Sequence, residues 1–356
     1  MNQPSAPLLD IIIPVWNDVQ RIQDCLSAVL ESIDEHSRLI LIKNGCDYAA
    51  DQLIDRFSDF LGERAVVLGL ERAATTLAVY RHALQSVEAP WVLFLPTSLT
   101  PTPAAMAALY RAIETAPDAG LIGMSPNDTP VTPPLASPCC ESEQLPGEPL
   151  AINMAMHRTI GCVNDLLWGT PWLGQEYARR ANRHGFRSYL IDTPDLTATP
   201  QPNLGSRERF QQRFEAASAY IRSQWGQQQH LALYITTGID SACIQETTQT
   251  LLQAAREGLT VSLILHPRDL RRPEIATLTH CHHGITTTVL PRLMATRAIK
   301  RHIQHLRERP VPTILGVIGP LTAVPASCGE WLPADQALDL ARNQRSTHEH
   351  VHSQSA

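Results

Sequence analysis

Three polar turns interrupt apolar stretches in the first hundred residues: Pro14-Val15-Trp16-Asn17, Lys43-Asn44-Gly45-Cys46-Asp47 and Pro96-Thr97-Ser98. Lys43 and Arg81 are cations of the kind that meet a phosphate group, arginine in a bidentate way. Both also read as solvated surface charges, the commoner fate of such residues. Thr97 and Ser98 offer hydroxyl oxygens, whereas a hard divalent cation takes carboxylate or carbonyl oxygens. Glu176 precedes Arg180 by one helical turn, which suits an ion pair at least as well as a catalytic carboxylate.

Two histidine clusters hold metal-ligand residue types: His280-Cys281-His282-His283 and His348-Glu349-His350-Val351-His352. Neighbouring side chains on one segment point apart, so the first cluster offers only His280 and His282, on a shared strand face. The second lies in a polar tail, 342–356, that reads as disordered and suits adventitious zinc or nickel. No metal site is assigned.

The elements that must position the turns follow from periodicity. Residues 10–17 form a β-branched run stopped by a proline. In 18–30, Ile22, Leu26, Val29 and Leu30 share a helix face, with Asn17 or Asp18 as cap. A strand over 39–42, a helix over 51–60, a strand over 66–68, a helix over 75–86 and a strand over 91–95 complete a β-α-β-α-β-α-β order. Such alternation predicts an α/β fold: a parallel-core, Rossmann-like sheet with helices on both faces and ligands at the carboxyl ends of its strands.

The three turns resemble those of the family 2 glycosyltransferases, which have a GT-A fold. In that family the first strand ends in a Pro-x-Tyr-Asn-like turn, the second in Asp-Asn-Gly-Ser-x-Asp and the fourth in Asp-x-Asp. Ala155-Met156-His157-Arg158 is similar to a small-apolar-Arg strand of the family. Gln175-Glu176-Tyr177-Ala178-Arg179-Arg180 followed by Gly185-Phe186-Arg187 is similar to its Glu-Asp-x-Asp-Leu-x-x-Arg and Gly-Tyr-Arg pattern.

The resemblance implies nucleotide-sugar contacts from Pro14, Trp16, Asn17, Lys43, Asn44, Asp47, Arg81, Ser98 and Arg180. It implies Glu176 as the catalytic carboxylate, since the family's own base, the aspartate of its Glu-Asp pair, falls on Gly174. Lys43, Pro96 and Ser98 likewise stand where the family has aspartates, for which Asp47 or Asp51 could substitute at the base contact. A loop at 193–206 carries no His where the family uses one to hold the diphosphate. No cofactor is required by the sequence, and Mn or Mg enters only with substitute ligands.

From His230 the β-α-β-α-β-α-β order returns, with strands over 231–235, 259–265, 285–290 and 313–318 and helices over 243–257, 273–279 and 292–307. A shift of about 222 lays Ile22-Gln23 on Ile244-Gln245 and Leu99-Thr100 on Leu321-Thr322. A degenerate repeat and chance likeness between two βαβ units stay open. Gly316-Val317-Ile318-Gly319 lacks phosphate-loop spacing. The expected organisation is a GT-A-like domain over 1–206 with a proline-rich loop at 125–149, a helical linker over 207–229, and a second, smaller α/β unit over 230–330.

A net charge of −6 leaves no footprint for nucleic acid. No apolar run reaches the roughly 20 residues of a membrane span, and Cys use without CxxC spacing fits a reducing, cytoplasmic setting. Cys139-Cys140 is expected to be exposed and incidental. Three functions follow: transfer of a sugar from a UDP- or GDP-linked donor to a glycan or lipid acceptor; a catalytically inactive pseudo-transferase acting as scaffold, regulator or protein partner in polysaccharide synthesis; and a binding module for a nucleotide or glycan. For a scaffold, Trp168 and Trp172 are the candidate docking residues, with core packing as the alternative.

Overall fold

The computed structural model describes residues 8–70, 72–126, 138–193, 195–199, 206–308, 311–324 and 329–346. The chain divides into two compact units, residues 1–139 with 144–213, and 140–143 with 214–356.

From Leu9 to Ala198 the strands are β1 (Leu9–Val15), β2 (Ser37–Asn44), β3 (Ala65–Leu70), β4 (Trp91–Phe94), β5 (Leu99–Thr100), β6 (Ala119–Ser125), β7 (Cys139–Glu141), β8 (Leu150–Asn153), β9 (Arg187–Asp192) and β10 (Thr197–Ala198), all in the first unit except residues 140 and 141. The helices are α1 (Val19–Ser32), α2 (Tyr48–Leu61), α3 (Thr76–Ala83), α4 (Pro103–Thr115), α5 (Met154–Ile160), α6 (Trp172–Arg183) and α7 (Arg207–Trp225), the last of which crosses the boundary at 213. The sheet order is β3-β2-β1-β4-β8-β6-β9-β7, and β5 pairs separately with β10. Strands β3, β2, β1 and β4 are parallel, and β8 is antiparallel to both β4 and β6.

Alternation along β1 separates two cores. Leu9, Ile11, Ile13 and Val15 join Leu39, Leu41 and Leu93 against α1, α2 and α4. Ile12 and Ile40 are equally buried on the opposite face, where Tyr80 of α3 stacks on Phe94 of β4 at 4.1 Å. The side chains of Asp18, Asp47, Thr75 and Thr102 accept from the third residue on and so start α1 to α4. At the amino end of the sheet, buried Asp10 takes Arg38 in a two-pronged pair, both contacts at 2.9 Å, and accepts from the Glu88 and Ala89 amides at 2.8 and 3.1 Å.

The second unit holds β11 (His230–Ile235), α8 (Ser241–Arg256), β12 (Thr260–Leu265), α9 (Pro273–His280), β13 (Ile285–Val289), α10 (Ala295–Arg307), β14 (Thr313–Ile318), β15 (Leu332–Pro333) and α11 (Ala334–Ser346). Its parallel sheet runs β13-β12-β11-β14-β15. Its first four strands thus order third-second-first-fourth, as β3-β2-β1-β4 do. Helices α8, α9 and α11 cover one face and α10 the other. The α/β class with a parallel core and a second, smaller unit is as expected from the sequence.

Three local expectations are corrected. Residues 155–158 are helical, not a strand, because the Asn153 side chain accepts from the Ala155 and Met156 amides at 2.9 and 3.3 Å and opens α5. Residues 342–346, read as disordered tail, continue α11, whose Ala337, Leu338 and Ala341 pack into the second core; 347–356, with the second histidine cluster, lie outside the described residues. Cys140 is buried, not exposed. Of the proline-rich loop, 127–137 lie outside the described residues, and 139–141 form β7.

Candidate functional site

Parallel pairing brings the carboxyl ends of β1, β2 and β4 together, and with them the three polar turns. The first two are laced to each other. Asn17 Oδ1 accepts from the Asp47 amide at 2.6 Å, and Cys46 Sγ lies 3.3 and 3.6 Å from the Val15 and Trp16 carbonyls. Asp47 directs a carboxylate oxygen to the Ala50 amide at 2.9 Å, as helix cap. Pro14 is buried within β1, opposite Ile42.

Lys43 does not stand as an open cation. Its ammonium lies 2.7 Å from Asp51 Oδ1 and 2.7 Å from Asp55 Oδ1, one turn apart on α2. Burial works against the charged form, but the two carboxylates outweigh it and hold the lysine above its usual range. Asn44 is fully buried, with both halves of its amide on Ala74: Nδ2 donates to the carbonyl at 3.0 Å and Oδ1 accepts from the amide at 2.7 Å. Gly45, at φ +69°, follows in a conformation that L side chains rarely adopt. In the third turn Thr97 is buried, and the Ser98 carbonyl accepts from the Thr199 amide at 2.8 Å.

Arg81 and Arg180 converge on one loop, 160–165. Arg81 pairs with Asp165 at 2.9 Å and donates to the Val163 carbonyl at 3.4 Å. Arg180 donates to the Ile160 and Cys162 carbonyls at 2.8 and 3.0 Å and sits 4.8 Å over the Tyr177 ring. Its Nε meets Glu176 Oε1 at 2.7 Å, the helical pair the spacing allowed. Glu176 Oε2 is buried without a hydrogen-bond partner among the described residues. Trp168 and Trp172 are half-buried, the former 5.3 Å from the Tyr80 ring, so neither stands out as a docking surface.

One carboxylate in this region escaped the sequence reading. Tyr80 donates its hydroxyl to Glu148, just ahead of β8. Burial pushes the Glu148 carboxyl up to about 7, with the Tyr80 hydrogen bond pulling the other way. It lies in a proline-rich stretch without periodicity, and its pairing with a residue 68 positions away leaves no local signature.

The described residues at the three turns do not fit a hard divalent cation. Pro96, Thr97 and Ser98 contribute no carboxylate, and no group of three His, Cys, Asp or Glu is placed to hold a metal among the described residues. His280 and His282 share no strand: His280 ends α9, and His282 is buried, its Nδ1 accepting from the Gly284 amide at 2.9 Å and its Nε2 3.6 Å from Glu143. Burial, then His283 and Arg256, lower His282 to about 3. An open groove of about 650 Å³ lies away from the turns, between α1 and α2, lined by Leu30, Ile33, Leu53, Phe57 and Phe60.

No helix among the described residues is long and apolar enough to cross a membrane. The glycosyl transferase family 2 model matches residues 10–137, a stretch holding all three turns. No curated protein matches the chain. Among solved structures, the chain is similar to the mannosyltransferase PcManGT from Pyrobaculum calidifontis, in complex with GDP-Man and Mn2+, at 13% identity and TM-score 0.44, over 97% of this chain and 85% of that one. It is also similar to S. aureus TarS, at 12% identity and TM-score 0.47, over 96% of this chain and 54% of that one. For TarS 1–349 the values are 13% and 0.48, over 98% and 92%.

Proposed function

We propose that the chain transfers a sugar from a UDP- or GDP-linked donor to a hydroxyl of a glycan or lipid. The observation that supports this best is the match of residues 10–137 to the family 2 glycosyl transferases, because the matched stretch holds the three turns at the carboxyl ends of β1, β2 and β4. In this reading Pro14, Trp16, Asn17, Asn44, Asp47 and Ser98 line the donor, and Lys43, Arg81 and Arg180 supply positive charge. Diphosphate binding then requires Lys43 to exchange Asp51 or Asp55 for phosphate oxygens, and Arg81 to exchange Asp165.

A second reading is a pseudo-transferase that serves as scaffold or partner subunit in polysaccharide synthesis. It is favoured by one observation: Lys43, Arg81 and Arg180 each already have a carboxylate partner. Calorimetric titration with UDP and GDP, with and without manganese, separates the two. Micromolar binding that does not require manganese is the result expected of the transferase. Heat of dilution alone in every titration means that the scaffold reading replaces it.

A further inference from the structure

Among the described carboxylates near the substrate end of the first unit, three serve neither as a helix cap nor as a partner of Lys43: Asp165, which is paired with Arg81, Glu176 and Glu148. Glu176 is held by Arg180. Among the described residues, Glu148 is held by a neutral hydroxyl, that of Tyr80. The antiparallel pairing of Phe94 with Leu150 places 148 at the carboxyl end of β4, level with the turn that starts at Pro96. The residue keeps part of its surface exposed. Tyr80 is rigidly set by its stack on Phe94 and its contact with Trp168, so the hydroxyl that orients the Glu148 carboxylate is fixed.

The neighbouring helix explains why a carboxylate is needed from this loop. A Cβ at Gly174 would stand 2.2 Å from the Leu145 carbonyl oxygen and 2.7 Å from that of Pro146. Backbone therefore occupies the space of any side chain at 174, and α6 can present no acid there. The segment that fills the space reaches Glu148 two residues later.

We propose that Glu148 takes the proton of the acceptor hydroxyl during sugar transfer. The inference rests on the transferase reading above. The acceptor oxygen forms a bond to the anomeric carbon, the bond from that carbon to the diphosphate breaks, and its electron pair leaves with the nucleoside diphosphate. The hydroxyl proton moves to the Glu148 carboxylate and from there to water. A carboxyl that titrates at about 7 is matched to this task near neutral pH.

The test uses the full chain, UDP-glucose and GDP-mannose as donors with water as acceptor, and release of UDP or GDP as signal. For the wild type we expect release to rise with pH through an acidic limb near 7. Glu148→Gln, which can still accept from Tyr80, should lower turnover by about 100-fold or more while UDP and GDP affinities stay unchanged. Tyr80→Phe removes a hydrogen bond that favours the carboxylate, so its limb should move to higher pH, a shift that a merely structural contact would not produce. Glu148→Gln with wild-type turnover and limb overturns the inference and leaves the transferase reading standing. A wild type that releases neither diphosphate overturns the inference, and if it binds neither UDP nor GDP the transferase reading falls as well.

Discussion

The Lys43 ammonium lies 2.7 Å from the Asp51 carboxylate, at the turn that ends β2 and that the proposed function sets against the donor nucleotide. Asp55 completes the clamp. Removing both acids should release the lysine toward a diphosphate. Asp51→Asn with Asp55→Asn is expected to tighten UDP or GDP binding several-fold, and adding Lys43→Ala should abolish the gain, both read by calorimetry. The acids are about half exposed, so the stability change should stay within about 1 kcal/mol.

Gly174 gives the opposite kind of result, because there the tertiary structure forbids the residue that chemistry would favour. Gly174→Asp places a side chain against the Leu145 and Pro146 carbonyls. It should lower the unfolding free energy by about 3 kcal/mol or more in urea titration, and add no turnover. Even Gly174→Ala should be destabilising, although alanine is the better helix former.

Glu148 should leave a mark on stability as well as on turnover. Its carboxyl is raised from 4.5 to about 7 in the fold, so the protonated form is the one the native state favours. The stabilisation is fully present below the unfolded value and is lost as pH rises through 7. Relative to Glu148→Gln, the wild type should lose of the order of 3 kcal/mol between pH 4 and 8. Parallel pH dependences of the two proteins, followed by chemical denaturation, would rule this out.

Asp10 makes a purely structural prediction. Its carboxylate is buried and meets Arg38 and two backbone amides at the amino end of the sheet, away from the three turns. Asp10→Ala leaves a guanidinium that is only 12% exposed with the Glu88 carboxylate and the Ser86 carbonyl, takes the acceptor from the Glu88 and Ala89 amides, and should cost about 3 kcal/mol. Nucleotide affinity measured on the folded fraction should be unchanged, which separates this pair from the site.

Much of the architecture was legible because it is local. Asp18, Asp47 and Thr75 cap the helices that follow the apolar runs, and the helix expected over 207–229 runs from 207 to 225. The strand expected over 155–158 went wrong at one residue: Asn153 can end a strand or cap a helix, and its side-chain contact with the next amides settles which. The shared strand face expected of His280 and His282 failed for a related reason. Spacing of ligand types says nothing of burial, and His282 is enclosed beside Glu143 in the second unit.

What the sequence by itself determined is the β-α-β-α-β-α-β order in both units, the polar turns ending the strands, and the absence of carboxylates from the third turn. Periodicity, caps and residue type act over a few positions, and all of these follow from them. What only the tertiary structure decided is which charges are already paired with a charge and that Glu148 meets a neutral hydroxyl instead. Arg81 meets Asp165 across 84 positions, and Tyr80 meets Glu148 across 68. Whether a group is available for chemistry depends on its partners and its desolvation, and both arise only when distant segments pack.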